Sequence, residues 1–126
     1  MADTSNSPKK LLLVDDDAAI LRMMKLQLEQ DGYVVMTENN GPAAITTAKN
    51  TKFLAVLLDL HMEGMDGFEI LRQLREAKPM LPVIMVTGSH DEKEARKAFD
   101  LGAWDYVTKP IDFNYLKNIL LLQSSE

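Results

Sequence analysis

Phe53-Leu54-Ala55-Val56-Leu57-Leu58-Asp59 is the stretch on which the reading of this chain turns. Six apolar residues stand in a row without polar alternation and stop abruptly at a carboxylate. A run of that length, apolar on both faces, suits the central strand of a parallel sheet covered on both sides. Working outward, short apolar runs alternate with amphipathic segments along the whole chain. On the N-terminal side, Leu11-Leu12-Leu13-Val14 ends at Asp15-Asp16-Asp17. A helix follows with Asp17 as its N-cap, with Ile20, Met24 and Leu28 on one face and Gly32 just past its end. Residues 33–37 form a weaker strand nearer an edge, and Gly41-Pro42 opens a second helix running to about Asn50.

On the C-terminal side a glycine-containing loop, Glu63-Gly64-Met65-Asp66-Gly67, leads into a helix striped by Phe68, Leu71 and Leu74, with Asp66 as a cap. Pro79 and Pro82 punctuate before Val83-Ile84-Met85-Val86, which ends at Thr87-Gly88. Residues 91–101 form a charged helix with a thin apolar face of Ala95, Ala98 and Phe99. A last strand over 104–107 ends at Thr108-Lys109-Pro110. Asp112 caps a final helix that buries Leu116, Ile119 and Leu120. Strict alternation of strand and helix implies parallel strands, right-handed crossovers and helices on both faces. The expectation is one five-stranded α/β domain over residues 10–123, after a disordered polar lead-in (1–9) and before a tail or the start of a linker (124–126).

Bulk properties narrow the function. The 126 residues suffice for one domain, with 46% apolar and 26% charged residues. A formal charge of −5 argues against direct binding to nucleic acid, whose phosphates demand a basic face. Absence of Cys rules out disulfides and thiolate metal sites and suits a cytoplasmic setting. The polar first ten residues lack the apolar core of a secretion signal, and no apolar run approaches membrane-spanning length.

The polar residues that terminate the apolar strands are the informative ones: Asp15-Asp16, Asp59, Thr87 and Lys109. In open parallel sheets, ligands bind outside the carboxyl ends of the strands. Three crowded carboxylates repel unless a cation intervenes, and an oxygen-only donor set favours Mg²⁺, with Mn²⁺ an admissible substitute. A lysine opposite them holds a phosphoryl oxygen, a threonine hydroxyl donates to another, and a glycine after it lets backbone N–H groups approach an anion. Such a cradle suits a metaphosphate-like transition state, with a carboxylate as nucleophile.

Four stretches carry a family resemblance: Leu-Leu-Val-Asp-Asp-Asp at 12–17, Leu-Leu-Asp-Leu-His-Met-Glu-Gly-Met-Asp-Gly at 57–67, Val-Thr-Gly at 86–88, and Gly-Ala-Trp-Asp-Tyr-Val-Thr-Lys-Pro at 102–110. In that order, each at a strand end, they resemble the receiver domains of two-component signalling from Lys10 to about Leu122. The resemblance implies a flavodoxin-like three-layer sandwich with strand order 2-1-3-4-5 and five helices. It implies that Asp59 accepts a phosphoryl group from a sensor histidine kinase or a histidine phosphotransfer protein. Asp16, Asp59 and the backbone carbonyl of His61 should ligate Mg²⁺, with Asp15 acting through water. Lys109 should pair with the phosphoryl group and Thr87 should turn toward it. Tyr106 occupies the aromatic switch position, so the face of the fourth helix, fifth strand and fifth helix should change its partner preference or dimerise. His61 and Ser89 sit where rates are tuned, and replacing His61 should change the lifetime of the phosphorylated form. The output is expected through a downstream protein or an effector domain outside this sequence. One departure stands out. Glu63 replaces the proline usual after Met62, which should free the loop and add a carboxylate.

Rival readings are weaker. An aspartyl-phosphate phosphohydrolase would carry Thr or Val after an Asp-x-Asp pair, where this chain has Ala18 and Ala19. A degenerate receiver serving only as an interaction module would not keep the full acid set with Thr87 and Lys109. A flavin-binding protein would not place three aspartates where the cofactor phosphate must sit.

Overall fold

A computed structural model describes residues 9–124. Five strands and five helices alternate: β1 (Lys10–Val14), α1 (Ala18–Gln30), β2 (Val34–Glu38), α2 (Gly41–Asn50), β3 (Ala55–Leu58), α3 (Gly67–Ala77), β4 (Val83–Thr87), α4 (Glu92–Asp100), β5 (Asp105–Thr108) and α5 (Phe113–Ser124). The sheet runs β2-β1-β3-β4-β5 with every pair parallel. This is the three-layer order expected from the sequence. The expected lead-in falls, apart from Lys9, outside the described residues, and the last helix continues through Ser124.

Strand side chains alternate between two cores, which explains why β1, β3 and β4 show no polar alternation. Leu12, Val14, Val56, Leu58, Val83 and Met85 pack beneath α2, α3 and Ala98 of α4. Leu11, Leu13, Ala55, Leu57, Ile84 and Val86 pack on the other face against α1 and α5. The second strand lies at the edge, as its weaker pattern suggested, with Val35 inward and Val34 and Met36 exposed.

Side-chain oxygens start the helices, accepting orphan first-turn N–H groups. Asp17, Asp66 and Asp112 cap as expected, accepting from Ala19 and Ile20, from Phe68, and from Asn114 and Tyr115. Asn40 and Asp91 cap the helices between.

Three helix faces differ from the sequence reading. In α1 the buried stripe is Leu21, Met24 and Leu28, with Ile20 only half-buried. Both stripes share Met24 and Leu28, and the sheet selects the one centred on Leu21. In α3, Ile70 joins Leu71 and Leu74 inside. Phe68 stays half-buried, with the Lys97 ammonium 4.4 Å from its ring centroid. In α4 only Ala98 is buried, and Phe99 is 47% exposed.

Candidate functional site

Among the described residues the buried polar or charged side chains are Asp15, Asp59 and Thr87. They lie just past or at the carboxyl ends of β1, β3 and β4, the three innermost strands. Buried polar groups elsewhere in the sandwich would cost stability without return, so their confinement to one edge marks the site.

The ladder itself places them. The Asp15 N–H donates to the Glu38 carbonyl and the Asp59 N–H to the Val14 carbonyl, so pairing runs on to the residues that carry the carboxylates. The Lys109 N–H donates to the Thr87 carbonyl at 2.8 Å, bringing the end of β5 beside β4. From there Lys109 reaches across, its Nζ 2.8 Å from Asp15 Oδ2 and 3.8 Å from Asp59 Oδ2. The other oxygen of Asp15 accepts from the Asp17 N–H at 2.9 Å.

Burial is the main cause that holds the Asp59 carboxyl above its usual range, with the Asp15 charge adding to it. Lys109 opposes that shift, as does the His61 N–H, which donates to Asp59 Oδ1 at 3.4 Å. One ammonium cannot neutralise three carboxylates. Oxygens of Asp15, Asp16 and Asp59 lie within 4.8 Å of one another. An oxygen-only set of this kind, with like charges to be relieved, fits a hard divalent cation.

The loop after β3 is a two-residue hairpin in which His61–Met62 pairs antiparallel with Met65–Asp66. Its turn needs φ of +83° at Gly64, where a side chain would be strained. Gly67 closes the hairpin against the strand end, and a Cβ there would come 2.5 Å from the Leu60 carbonyl oxygen and 2.9 Å from that of Asp59. Glu63 corrects an expectation. Its backbone N–H, which proline would lack, donates to Asp16 Oδ2 at 2.8 Å, so the loop is tied to the acidic cluster rather than freed.

The remaining candidates meet one another beside β4. The Thr87 Oγ1 accepts from the Ser89 N–H at 3.3 Å, which leaves its own hydrogen available. Tyr106, half-buried, donates its hydroxyl to the Ser89 carbonyl at 3.3 Å. The Ser89 hydroxyl donates to Glu94 Oε1 at 2.5 Å, and the His61 Nε2 lies 3.0 Å from the same oxygen. These two contacts, the Ser89 hydroxyl first, hold the Glu94 carboxyl below its usual range. His61 is exposed, as its loop position suggested, yet engaged. The sequence shows Glu94 only as one of the charged residues of the helix over 91–101. Its one signal was the capping spacing from Asp91.

Comparison with known proteins accords with this geometry. Residues 11–121 match the model of the response regulator receiver domain family. The chain is 38% identical over 102 residues to the alkaline phosphatase synthesis transcriptional regulatory protein PhoP of Bacillus subtilis (strain 168), covering 81% of this chain and 42% of that protein. It thus spans less than half the length of that relative. It superposes with a TM-score of 0.86 and 31% identity on a CheY-like response regulator receiver domain protein from Methanospirillum hungatei JF-1, covering 94% and 98% of the two chains. A response regulator from Burkholderia pseudomallei, carrying a phosphorylated aspartic acid, a calcium ion and citrate, superposes with a TM-score of 0.84 and 27% identity over 89% of this chain and 66% of that one. With five parallel strands in the order β2-β1-β3-β4-β5 and an acidic cluster at their carboxyl ends, this chain belongs to the response regulator receiver domains, the phospho-accepting signalling switches of two-component systems.

Proposed function

We propose that Asp59 is the phosphoryl acceptor and that the donor is a phosphohistidine on a sensor histidine kinase or a histidine phosphotransfer protein. The observation that carries this reading is the gathering of the buried polar side chains Asp15, Asp59 and Thr87 at one sheet edge, with Lys109 reaching to within 3.8 Å of Asp59. A carboxylate oxygen of Asp59 attacks phosphorus. The new P–O bond forms as the P–N bond breaks, and its electron pair leaves with the donor imidazole. Lys109 stands beside Asp59 to take up charge that develops on a phosphoryl oxygen. The Thr87 hydroxyl hydrogen is free to donate to a second oxygen. Beyond Gly88 itself and its chain neighbours, no heavy atom lies within 4 Å of where a Cβ would stand at Gly88, which leaves room for the group.

A divalent ion, Mg²⁺ or in its place Mn²⁺, held by Asp16, Asp59, the His61 carbonyl and, through water, Asp15, would neutralise the carboxylates and the phosphoryl oxygens. The phosphorylated aspartate and calcium ion in the Burkholderia neighbour support this assignment.

Movement of Thr87 toward the phosphoryl group would break its bond with the Ser89 N–H and disturb the carbonyl that holds Tyr106. The face of α4, β5 and α5 then changes its packing, a population shift driven by contacts better made in one state. That face, where Phe99 and Trp104 are each 47% exposed, is where a downstream protein, an effector domain or a second copy would dock. The chain works as a signal carrier that catalyses its own phosphorylation and dephosphorylation rather than as a turnover enzyme. A cytoplasmic setting suits it, and no helix of the described residues is long and apolar enough to cross a membrane.

Incubation with acetyl phosphate and Mg²⁺, followed by intact mass, should add one phosphoryl group to this chain and none to Asp59→Asn. Equal labelling of both proteins would refute the assignment.

A further inference from the structure

Glu94 joins the two loops that flank Asp59, and nothing in the phosphoryl transfer described above uses it. The stretch Asp91-Glu92-Lys93-Glu94 has the spacing of a capping box, in which the acid three residues after the cap turns back to the cap residue's own N–H. Here the Asp91 N–H donates instead to the Ser89 hydroxyl oxygen at 3.2 Å, and the Asp91 side chain caps Lys93. Glu94 is thereby released from the helix end. Its Oε1 accepts from the Ser89 hydroxyl at 2.5 Å and from the His61 Nε2 at 3.0 Å. The ring nitrogen must be the donor, because an ionised carboxylate has no hydrogen to give. His61 stands two residues beyond Asp59 and Ser89 two residues beyond Thr87, so one carboxylate oxygen holds a side chain from each rim of the site.

We propose that Glu94 is a positioning residue: by bridging His61 and Ser89 across the opening between the β3 and β4 loops, it lengthens the life of the phosphoryl group on Asp59. The inference rests on the phospho-acceptor reading above. In hydrolysis a water oxygen attacks phosphorus and the bond from phosphorus to the Asp59 oxygen breaks. The products are inorganic phosphate, which keeps the water's oxygen, and the free carboxylate. A ring tethered between the two rims takes up part of the approach such a water needs. The Ser89 hydroxyl hydrogen, committed to Glu94, cannot orient that water. Without Glu94 both restraints go, and the His61 side chain, already 59% exposed, turns out to solvent.

The test follows loss of the phosphoryl group by intact mass, after removal of acetyl phosphate, in the full chain and its variants with Mg²⁺ present. Glu94→Ala should lose the group about three- to tenfold faster, the scale set by one or two ordinary hydrogen bonds. Glu94→Gln keeps an acceptor oxygen in place and should stay within about twofold of the parent. In a His61→Ala background the Glu94→Ala change should shrink to about twofold or less, because the partner is already gone. Nitrogen spectra of the imidazoles in the unphosphorylated protein read the bridge without any phosphorylation. His61 should carry its hydrogen on Nε2 in the parent and lose that bias in Glu94→Ala. Should Glu94→Ala fail to fold, Glu94→Asp, too short to span the gap, takes its place. A parent protein that accepts no phosphoryl group overturns the functional reading and this inference with it. Decay of phosphorylated Glu94→Ala at the parental rate, or equal acceleration in Glu94→Gln, overturns this inference alone.

Discussion

A carboxylate at the end of a buried strand costs stability unless it is neutralised, and Asp59 is only partly so. It is 6% exposed, faces the charge of Asp15, and has Lys109 3.8 Å away while Lys109 sits closer to Asp15. Its raised pKa means that ionising it at neutral pH works against the fold. In metal-free buffer, Asp59→Asn should therefore raise the unfolding temperature, because it removes the cost of ionising a buried carboxyl. A fall in Tm would show that Lys109 and the loop already compensate the charge. Tyr33 gives the alkaline counterpart. Burial, with Asp31 assisting, holds its hydroxyl above the ordinary value of 10.0. A folded pKa above the unfolded one gives stability that is full below about pH 10 and is lost as pH rises through the folded value. Tyr33→Phe should thus lose less stability than the parent between about pH 8 and 11, measured as urea midpoints. Parallel decline of the two proteins would refute it.

At the scale of elements, the segment after β3 decides how Asp59 is presented. The hairpin folds back on itself at Gly64, is closed by the Gly67 N–H donating to the Leu60 carbonyl at 3.0 Å, and is tied to Asp16 through Glu63. Gly67 has no slack, since a Cβ would meet the backbone of Leu60 and Asp59 rather than a movable side chain. Gly67→Ala should destabilise by about 2–4 kcal/mol and slow the proposed phosphorylation of Asp59, because the strand end must shift to admit the methyl. Denaturant unfolding and the labelling rate check both halves. A variant of parental stability would mean that the loop is softer than its contacts imply. The element α4 is the contrary case, with Ala98 its one buried residue, which suits a helix that repacks at low cost.

At the scale of the molecule, the sandwich keeps two apolar cores whole and gathers the chemistry on one edge. The proposed metal ligands come from the ends of β1 and β3, so a bound cation ties two strands and stabilises the folded state by mass action. Mg²⁺ at ten times its dissociation constant should add about 1.4 kcal/mol, seen as a higher Tm. Excess EDTA should remove that gain and block labelling by acetyl phosphate. Labelling that persists in EDTA would exclude the metal from the reaction.

Much of this was present in the order of residues. Apolar runs without alternation specified strands buried on both faces, and the strand-ending residues Asp15, Asp59, Thr87 and Lys109 pointed to the edge where the candidate site gathers, because both patterns are local and repeat with the geometry of strand and helix. Which helix face turned inward was settled only by packing. Leu21 is buried where Ile20 is only half-buried, and Ala98 where Phe99 is exposed, because each helix must seat where its neighbours leave room. The Glu63 N–H on Asp16 and the Glu94 bridge to His61 join residues 47 and 33 positions apart. No periodicity reports on such pairs, since they exist only once the sheet has brought separate loops to a common edge.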